Sequence, residues 1–448
     1  MKIPHWPIYT GPNKDYFNTV NRVKCVLSKI NNPHLHLKNI IHITGTKGKG
    51  STALFISNIL RSSGYKVNTY ISPHIYECNE RILLDGVKVK DEELYEATEL
   101  VRLTCEKNNM FVDEISMFEA LTCSAFSIMS KHEADFNVIE VGMGGKYDAT
   151  NVFDDNHPIA CVFTPIHLDH TKFLGTTVND IAIQKSYLIK KNASNVILSS
   201  QSIEAKTVLK NVAKNHGILN IFCYGEDYEA FYNDNGVPIY ESKCFNSCFS
   251  FQKPNMPGDY QLINASCAIS TCIACLKNIN IKTLTPETIN IGIKNTFNIV
   301  RMQKIENGAL FSKLPQGSIF YIDGAHNQLA AHALASWIKS FKQKNKDKYT
   351  IFLAVARTKG VDNKAFLKEF LDKNNKPIID VLIATRANLE SIPEPPEIIA
   401  KIGKNFGFYC KIAHDITKVI DCISNNGKQS LLICTGSLYI ARDIMTKN

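Results

Sequence analysis

The sequence predicts a two-domain protein of the α/β class. The chain has 448 residues, 44% of them hydrophobic, which exceeds what one hydrophobic core normally serves. Short apolar runs alternate with helical patterns, and strands buried on both faces and separated by helices are typical of a mostly parallel sheet wrapped by helices. In the first part of the chain, such strands are expected at 40–44, 66–71, 136–141, 160–165 and 195–199.

Helices are predicted between these strands from charge and apolar spacing. The segment 91–107 begins with three acidic residues and 178–191 ends in lysines, as the helix dipole favours. Apolar residues at helical spacing predict a further helix over 116–131. The segment 228–257 breaks this rhythm, and its turn residues among Phe and Tyr predict short antiparallel strands at the edge of the first domain.

A second series of elements begins after residue 300. Thr285 and Pro286 start a helix as N-cap and first helical residue, and this helix is expected to end near Asn295. Residues 295–300 are then a candidate hinge. Strands are expected beyond it at 318–322, 349–355, 378–384, 408–412 and 430–434. We therefore predict domains of residues 1–296 and 297–448.

The composition of the chain argues against a membrane protein, a secreted protein and a nucleic-acid-binding protein. No apolar run is long enough to span a membrane and the first residues do not resemble an export signal, so we expect a soluble cytoplasmic protein whose fourteen cysteines are reduced. Cys272 and Cys275 lie in an apolar run and predict buried helical thiols, not zinc ligands. The net charge of +9 favours anionic small molecules, while the basic run 342–348 lacks aromatic residues to stack on bases. We expect a monomer with no nucleic-acid or membrane partner.

Residues 39–51 read as an apolar strand that runs into a turn with three glycines, two lysines and a hydroxyl. Glycines let the main chain curl with its N–H groups inward, Lys49 can neutralise phosphate oxygens and Ser51 can hold a magnesium ion. A helix starting after the loop adds its partial positive charge. The spacing departs from G-x-x-x-x-G-K-[ST], so an ordinary strand-to-helix turn stays the alternative from the loop alone.

Polar side chains stand at the ends of several predicted strands, where ligands collect in open α/β sheets. Glu140 ends an otherwise apolar strand, and a buried carboxylate is costly unless it is paired or metal-bound, so it is a magnesium-ligand candidate. His167, Asp169 and His170 follow the next strand, and Asp323 ends a strand of the second domain. Any one of these could be structural, but together they predict a ligand site that faces ATP from both domains.

Six stretches, in this order, resemble the folylpolyglutamate synthase and dihydrofolate synthase family, the folate branch of the Mur-type ATP-dependent amide ligases. They are Gly-Thr-Lys-Gly-Lys-Gly-Ser at 45–51, Ser-Pro-His at 72–74 with Glu-Arg at 80–81, Glu-Val-Gly-Met-Gly-Gly-Lys-Tyr-Asp-Ala-Thr-Asn at 140–151, Leu-Asp-His-Thr at 168–171, Asp-Gly-Ala-His-Asn at 323–327 and Thr-Gly-Ser-Leu-Tyr at 435–439. The resemblance implies a P-loop NTPase-like N-terminal domain with a mostly parallel sheet and a smaller Rossmann-like α/β C-terminal domain.

The same resemblance implies a ligand for each stretch. ATP would be bound by Gly48, Lys49, Gly50, Ser51, Asn264, Arg301 and Asp323. Two magnesium ions would be held by Ser51, Ser72, Glu140, His170 and Lys185, the last as a carbamylated lysine. The pterin end of the substrate would contact Ser116, Met117, Phe118, Glu119, Tyr147, Asp148 and Ala149, and the incoming glutamate would contact His326 and Ser437. The expected catalytic residues are Lys49, Glu140, His170 and Lys185.

Three positions depart from the family's pattern. Lys47 stands where Asn is usual, and Val300 stands where Gly is common. The segment 354–360 replaces one that usually contains an Asp-Lys-Asp triplet. This last change bears on how the second domain handles glutamate or nucleotide.

The implied reaction is ligation of L-glutamate to dihydropteroate, to tetrahydrofolate, or to both. A carboxylate does not react with an amine at neutral pH because hydroxide is a poor leaving group, and phosphorylation by ATP supplies a better one. Two alternatives stay open at this point: a Mur-type peptidoglycan ligase and a non-catalytic nucleotide-binding relative. The first usually carries a UDP-sugar domain before the phosphate loop, for which residues 1–44 are too few.

Overall fold

The computed structural model describes residues 15–74, 77–111, 114–154, 158–256, 258–277, 284–297, 302–345, 348–388, 392–424 and 429–448. The chain divides into two compact units. Unit 1 comprises Met1–Asn255 with Asp259–Phe297, and unit 2 comprises Met256–Gly258 with Asn298–Asn448. Both units are α/β, which confirms the predicted fold class. Within the described ranges, no helix has the length and apolar character that crossing a membrane requires.

Unit 1 contains an eight-stranded sheet and a separate three-stranded antiparallel sheet. Its strands are β1 (Ile40–Thr44), β2 (Val67–Tyr70), β3 (Ile82–Leu84), β4 (Val87–Lys88), β5 (Phe136–Glu140), β6 (Pro158–Phe163), β7 (Asn195–Leu198), β8 (Ile221–Cys223), β9 (Tyr228–Tyr232), β10 (Pro238–Ser242) and β11 (Ser247–Ser250). The last three form the predicted antiparallel group. Strand β6 begins and ends two residues before the predicted 160–165, because Pro165 already belongs to the following loop, where its carbonyl accepts from Thr46 N at 2.9 Å.

The large sheet has the order β4-β3-β2-β5-β1-β6-β7-β8. Strands β2, β5, β1, β6, β7 and β8 are parallel to one another. Strands β3 and β4 extend the sheet beyond β2 and are paired antiparallel. Strands β2, β5, β1 and β6 are neighbours, so the residues that follow them emerge at the same edge. This order brings the phosphate-loop candidate and the polar strand ends of the first domain together.

The helices of unit 1 cover the sheet. They are α1 (Thr19–Lys29), α2 (Lys49–Ser62), α3 (Asp91–Lys107), α4 (Met117–Met129), α5 (Thr171–Leu174), α6 (Val178–Ser186), α7 (Ile203–Asn215), α8 (Tyr260–Lys277) and α9 (Pro286–Lys294). Helix α6 ends five residues before the predicted 191, because the chain turns into the core at Leu188 and Ile189, which are fully buried. Cys272 and Cys275 are free and buried on α8, as predicted.

Unit 2 is a six-stranded sheet of order β12-β13-β17-β14-β15-β16, parallel except for β12 at one edge. The strands are β12 (Gln303–Ile305), β13 (Ile319–Ile322), β14 (Thr350–Ala356), β15 (Val381–Thr385), β16 (Cys410–Ile412) and β17 (Ser430–Thr435). The helices are α10 (Gln328–Asn345), α11 (Asn363–Lys368), α12 (Pro396–Asn405), α13 (Ile416–Ser424) and α14 (Leu438–Lys447). The five predicted strands of this domain are confirmed with small shifts, and edge strand β12 was not predicted.

Candidate active site

The glycine-rich loop of unit 1 is held against the loop that follows β6. Thr46 N donates to Pro165 O at 2.9 Å. The Thr46 hydroxyl donates to His167 O at 3.1 Å and accepts from His167 N at 3.0 Å. These bonds fix the turn, and helix α2 begins at Lys49, inside the glycine-rich stretch and not after it as expected. Lys49, Gly50 and Ser51 therefore form the first helical turn, whose main-chain N–H groups are the usual anion site of a helix.

Gly48 has a main-chain conformation and a neighbour that exclude a side chain. Its φ is +84°, and a Cβ at this position would lie 2.5 Å from the Asn264 side-chain oxygen. Asn264 lies on α8 and donates to Gln261 Oε1 at 2.9 Å. The structure thus brings Asn264 to the phosphate-loop candidate, two positions that are distant in the sequence and both expected to bind ATP.

Glu140 ends β5 and is 3% exposed. Its Oε2 accepts from Ser72 N at 2.8 Å, so the acid and Ser72, which follows β2, adjoin as predicted. In the sheet, Glu140 is paired in register with Ile43, one residue before the end of β1. A carboxylate so excluded from water is costly unless a cation or donors balance it, and its oxygens are the ligand type that magnesium prefers.

Lys185 is buried, although a lysine on a helix is ordinarily exposed. It lies on α6, is 3% exposed, and donates from Nζ to Gly45 O at 2.9 Å. Burial, followed by the charge of Lys49, lowers the pKa of Lys185 to about 7. Because the neutral amine is the form that reacts with CO₂, the site fits the carbamylation that the resemblance implies, but it also fits an unmodified lysine.

His170 lies at the start of α5 with a positive φ of 49° and a half-exposed ring. Burial lowers the pKa of His170, and the charges of Lys49, Lys185 and Lys47 lower it further against the opposing effect of Asp169. The imidazole therefore shares its surroundings with the lysines of the phosphate loop and α6. The lowered pKa favours the neutral imidazole, which is the form that ligates metals.

The predicted two-magnesium cluster stays a prediction. Among the residues that the structure describes, the group of three His, Cys, Asp or Glu side chains close enough to share an ion is Cys223, Glu226 and Asp227. Glu226 in that group already pairs with Lys206 and Lys210. The predicted magnesium ligands are a different set, with one carboxylate, one imidazole, two hydroxyls and a lysine.

The two stretches expected to hold the pterin adjoin each other. A Cβ on Gly142 would lie 2.5 Å from the Phe118 ring and 3.2 Å from Asp148 Oδ2, so these two side chains flank the same glycine. Asp148 is buried and accepts from Met143 N at 2.8 Å and from the Thr150 hydroxyl at 2.6 Å. Burial raises the pKa of Asp148 and these donors oppose the rise.

Glu119 forms a buried ion pair with Arg22 that the sequence did not indicate. Its Oε1 accepts from Arg22 Nη2 at 2.7 Å, and both side chains are 1% exposed. Its Oε2 accepts from Ser116 N at 2.6 Å and completes the capping box that begins α4. Ser116 and Glu119 therefore shape the helix start that presents Met117 and Phe118, which are both partly exposed. Their contact with substrate stays a prediction.

An aromatic group beside this region was missed by the sequence reasoning. Tyr147 packs edge-on against Tyr16 and Phe17, with ring centroids 5.8 and 5.1 Å apart. Phe173 packs on Tyr16 at 5.6 Å, and Lys146 Nζ lies 5.0 Å from the centroid of the Tyr147 ring. The sequence feature that could have indicated this group is the pair Tyr16 and Phe17 just before α1, but two adjacent aromatic residues alone do not identify a site.

In unit 2, the predicted residues lie at the ends of β13 and β17. Asp323 accepts from Met302 N at 3.0 Å and from Ala325 N at 2.9 Å. His326 is exposed, and its Nδ1 lies 2.9 Å from Gly324 O. Ser437 is the N-cap of α14, where its hydroxyl accepts from Tyr439 N at 3.2 Å. Arg301, expected at the nucleotide, lies outside the described residues.

The chain matches two protein families over most of its length. Residues 43–272 match the Mur ligase middle domain, and residues 311–447 match the dihydrofolate synthetase C-terminal domain. Over 439 residues the chain is 26% identical to the dihydrofolate synthase/folylpolyglutamate synthase of Bacillus subtilis (strain 168), a match that covers 95% of this chain and 94% of that protein.

Solved structures are similar over the same extent. The crystal structure of folylpolyglutamate synthase from Thermotoga maritima has a TM-score of 0.78 and 26% identity, covering 95% of this chain and 92% of that one. A structure described as an FPGS–AMPPCP complex has a TM-score of 0.77 and 26% identity, covering 96% of this chain and 98% of that one.

Proposed function

Since the chain belongs to the folylpolyglutamate synthase and dihydrofolate synthase family, we propose that it joins L-glutamate to dihydropteroate, to tetrahydrofolate, or to both. It is an ATP-dependent carboxylate–amine ligase. The match of residues 311–447 to a dihydrofolate synthetase domain supports the first of these acceptors. The middle-domain match is shared with Mur-type ligases, but the relatives described above and the C-terminal domain match are folate enzymes. These matches favour folate ligation over a peptidoglycan ligase or a non-catalytic relative.

The phosphate loop carries the first step. The helix start at 49–51 and the Lys49 ammonium group would bind the phosphates of ATP, with the Asn264 side chain beside Gly48. A carboxylate oxygen of the acceptor bonds to the γ-phosphorus as the bond to the β–γ bridging oxygen breaks, giving an acyl phosphate and ADP. Lys49 neutralises charge on the transferred group during this in-line displacement.

Magnesium, which enters with ATP, would be held by Ser51, Ser72, Glu140, His170 and Lys185. Bound there, it would polarise the phosphate oxygens and offset their charge. The chemistry of this set suits the ion, because the almost fully buried carboxylate of Glu140 supplies hard oxygen ligands. Two ions are our proposal, as the resemblance implies.

Carbamylation of Lys185 would turn a buried cation into an anionic oxygen ligand. The amine nitrogen bonds to the carbon of CO₂ and releases one proton. The support is the burial of this side chain, which brings its pKa to about 7 and so supplies neutral amine at physiological pH. The hydrogen bond to Gly45 O holds the nitrogen beside the phosphate loop.

The acceptor and the amino acid would use different sets of residues. We propose that Phe118, Tyr147, Asp148 and Ala149, all in the domain of residues 1–296, contact the pterin end of the acceptor. We propose that His326 and Ser437, in residues 297–448, contact the incoming glutamate. The free α-amine then attacks the acyl phosphate carbonyl, and the tetrahedral intermediate collapses to an amide and inorganic phosphate. A cytoplasmic monomer stays our expectation for the cellular form.

The observation that carries this proposal is that buried Glu140 is paired in register with Ile43 near the end of β1, while buried Lys185 bonds to Gly45 O, at the first residue of the glycine-rich loop. The test incubates purified protein with MgATP and L-glutamate and offers dihydropteroate and tetrahydrofolate in separate reactions. Mass analysis should find an acceptor enlarged by one glutamate residue in at least one of them, with equal amounts of ADP and phosphate. A protein that forms no such product with either acceptor contradicts the proposal.

A further inference from the structure

Arg357 lies in the segment where the chain departs from the family's usual pattern, directly after β14. Its side chain is 2% exposed. Nη1 donates to His326 O at 2.8 Å and to Gly436 O at 3.1 Å, and Nε donates to Asn363 Oδ1 at 2.9 Å. The guanidinium carbon also lies 4.1 Å from the centroid of the Phe366 ring. One planar group therefore binds the main chain of two separate loops.

The two loops are those that carry the predicted glutamate contacts. His326 follows β13 and Gly436 precedes Ser437 after β17, and β17 lies between β13 and β14 in the sheet. The loops also bond directly to each other, since Gly436 N donates to Ala325 O at 2.9 Å. Through these bonds, the guanidinium holds the main chain of both loops in place. The positions of the His326 ring and the Ser437 hydroxyl depend on that main chain.

The charge of Arg357 is balanced inside unit 2. Asn363 Nδ2 donates to Glu394 Oε2 at 3.0 Å, and Glu394 N donates back to Arg357 O at 2.7 Å. Burial lowers the pKa of Arg357 to about 10, and the charges of Asp362 and Glu394 oppose this effect. A lysine at this position could keep the charge, but it could not present the planar fork that reaches both carbonyls and Asn363 together.

We propose that Arg357 is a positioning residue for the incoming L-glutamate, because it holds the loops of His326 and Ser437 in the arrangement in which the amino acid binds. The inference rests on the proposed function. The buried guanidinium acts through the two main-chain carbonyls and does not touch the substrate.

The test compares Arg357→Lys with the full-length wild type. The matched control is Arg386→Lys, since Arg386 also follows a strand of this sheet but is exposed and donates only to His414 O among the described residues. Three quantities are measured: the KM for glutamate, the KM for ATP, and the rate at which hydroxylamine converts the acyl phosphate to a hydroxamate without glutamate. Arg357→Lys should raise the KM for glutamate by about 10- to 100-fold and change the other two by less than about twofold.

The other outcomes contradict either the positioning role of Arg357 or the proposed function. An unchanged KM for glutamate, or a parallel loss of all three quantities with a lowered unfolding midpoint, overturns the positioning role. If Arg357→Lys does not fold, Asn363→Ala keeps the guanidinium but removes its Nε partner, and it should raise the same KM selectively by a smaller factor. A wild type that forms neither hydroxamate nor amide overturns the proposed function and this inference with it.

Discussion

The ammonium group of Lys185 donates a hydrogen bond to the main-chain carbonyl of Gly45 at 2.9 Å. This bond joins helix α6 to the first residue of the phosphate loop across 140 positions of sequence. Main-chain packing supports it, because Lys146 N donates to Gln184 O at 2.9 Å, and a Cβ on Gly145 would lie 2.8 Å from the same carbonyl. The lysine is therefore placed by the fold, at a cost in desolvation that a surface lysine would not have.

Replacing Lys185 should remove activity without unfolding the protein. Lys185→Met keeps the length of the side chain but can neither be carbamylated nor carry charge, so we expect kcat to fall by about 100-fold or more. The matched control is Lys214→Met on the exposed face of α7, which should leave kcat unchanged. Acetate or formate added to Lys185→Ala should restore part of the rate if a carboxylate-like group is required. Full activity of Lys185→Met would contradict this role.

Glu140 should be required for glutamate-dependent release of ADP. Glu140→Gln keeps the shape and the acceptor for Ser72 N but removes the negative charge, and we expect the rate to fall by about 100-fold or more. Glu96→Gln, on an exposed position of α3, is the control. Coupled measurement of ADP with and without glutamate checks the result. Wild-type rates in Glu140→Gln at saturating magnesium would show that the carboxylate does not serve the metal.

His42 should make the protein sensitive to acid. Burial lowers the pKa of His42 from its ordinary 6.5 to about 3, so the native ring stays neutral while the unfolded chain takes up a proton as the pH falls below about 6.5. Stability is then lost between about pH 6.5 and pH 3, by at most about 1.4 kcal/mol per pH unit for this one group. His42→Gln does not titrate and can still bond the Thr150 hydroxyl, which lies 2.9 Å from His42 Nε2.

The measurement is the urea unfolding free energy at a series of pH values for wild type and His42→Gln. Because several carboxyl groups also titrate in this range, the informative quantity is the difference between the two proteins. That difference should shift in favour of the variant as the pH falls from 6.5 to 4. The exposed His36→Gln should follow the wild type. Parallel curves for wild type and His42→Gln would contradict the assignment.

The buried pair of Arg22 and Glu119 should contribute to stability more than to catalysis. Removing one partner leaves the other charge buried and unpaired, so Arg22→Met should lower the free energy of unfolding by about 3 kcal/mol or more. The double variant Arg22→Met/Glu119→Gln should recover part of that loss, because no unpaired charge is left. Arg102→Met, which breaks pairs on the surface of α3, should stay close to wild type.

The result bears on the expected folate contact of Glu119. If the carboxylate serves only α4 and Arg22, the KM for the acceptor should be unchanged in variants that still fold. A rise in that KM without a loss of stability would instead support a direct contact with the substrate.

The parts of the site that could be predicted from sequence are those coded locally. The phosphate loop and the acid at the end of β5 follow from apolar strands that run into glycines and polar residues. Helix starts such as Ser116 with Glu119 and Thr285 with Pro286 are also local signals, and both are helix caps in the structure.

The rest depends on contacts between distant segments. A lysine in the pattern of α6 gives no sign that it is buried, since its burial arises from the packing of that helix on the loops after β1 and β5. Glu119 is a helix cap in sequence, yet its pairing with Arg22 spans 97 positions. In the sequence, Arg357 is visible only as part of a segment that departs from the family's pattern. Its proposed role depends on bonds to His326 O and Gly436 O, which lie on either side of it in the sequence. Short edge strands such as β12 (303–305) offer too few residues to show alternation.

In the proposed reaction, ATP transfers its terminal phosphate to the acceptor's carboxylate before glutamate attacks. The most direct test labels that carboxylate with heavy oxygen and follows the label through one turnover with MgATP and unlabelled glutamate. We expect one labelled oxygen to appear in the inorganic phosphate for each amide formed, because the bridging oxygen leaves with the phosphoryl group. Unlabelled phosphate accompanying labelled water, or ADP formed without any amide, would contradict it.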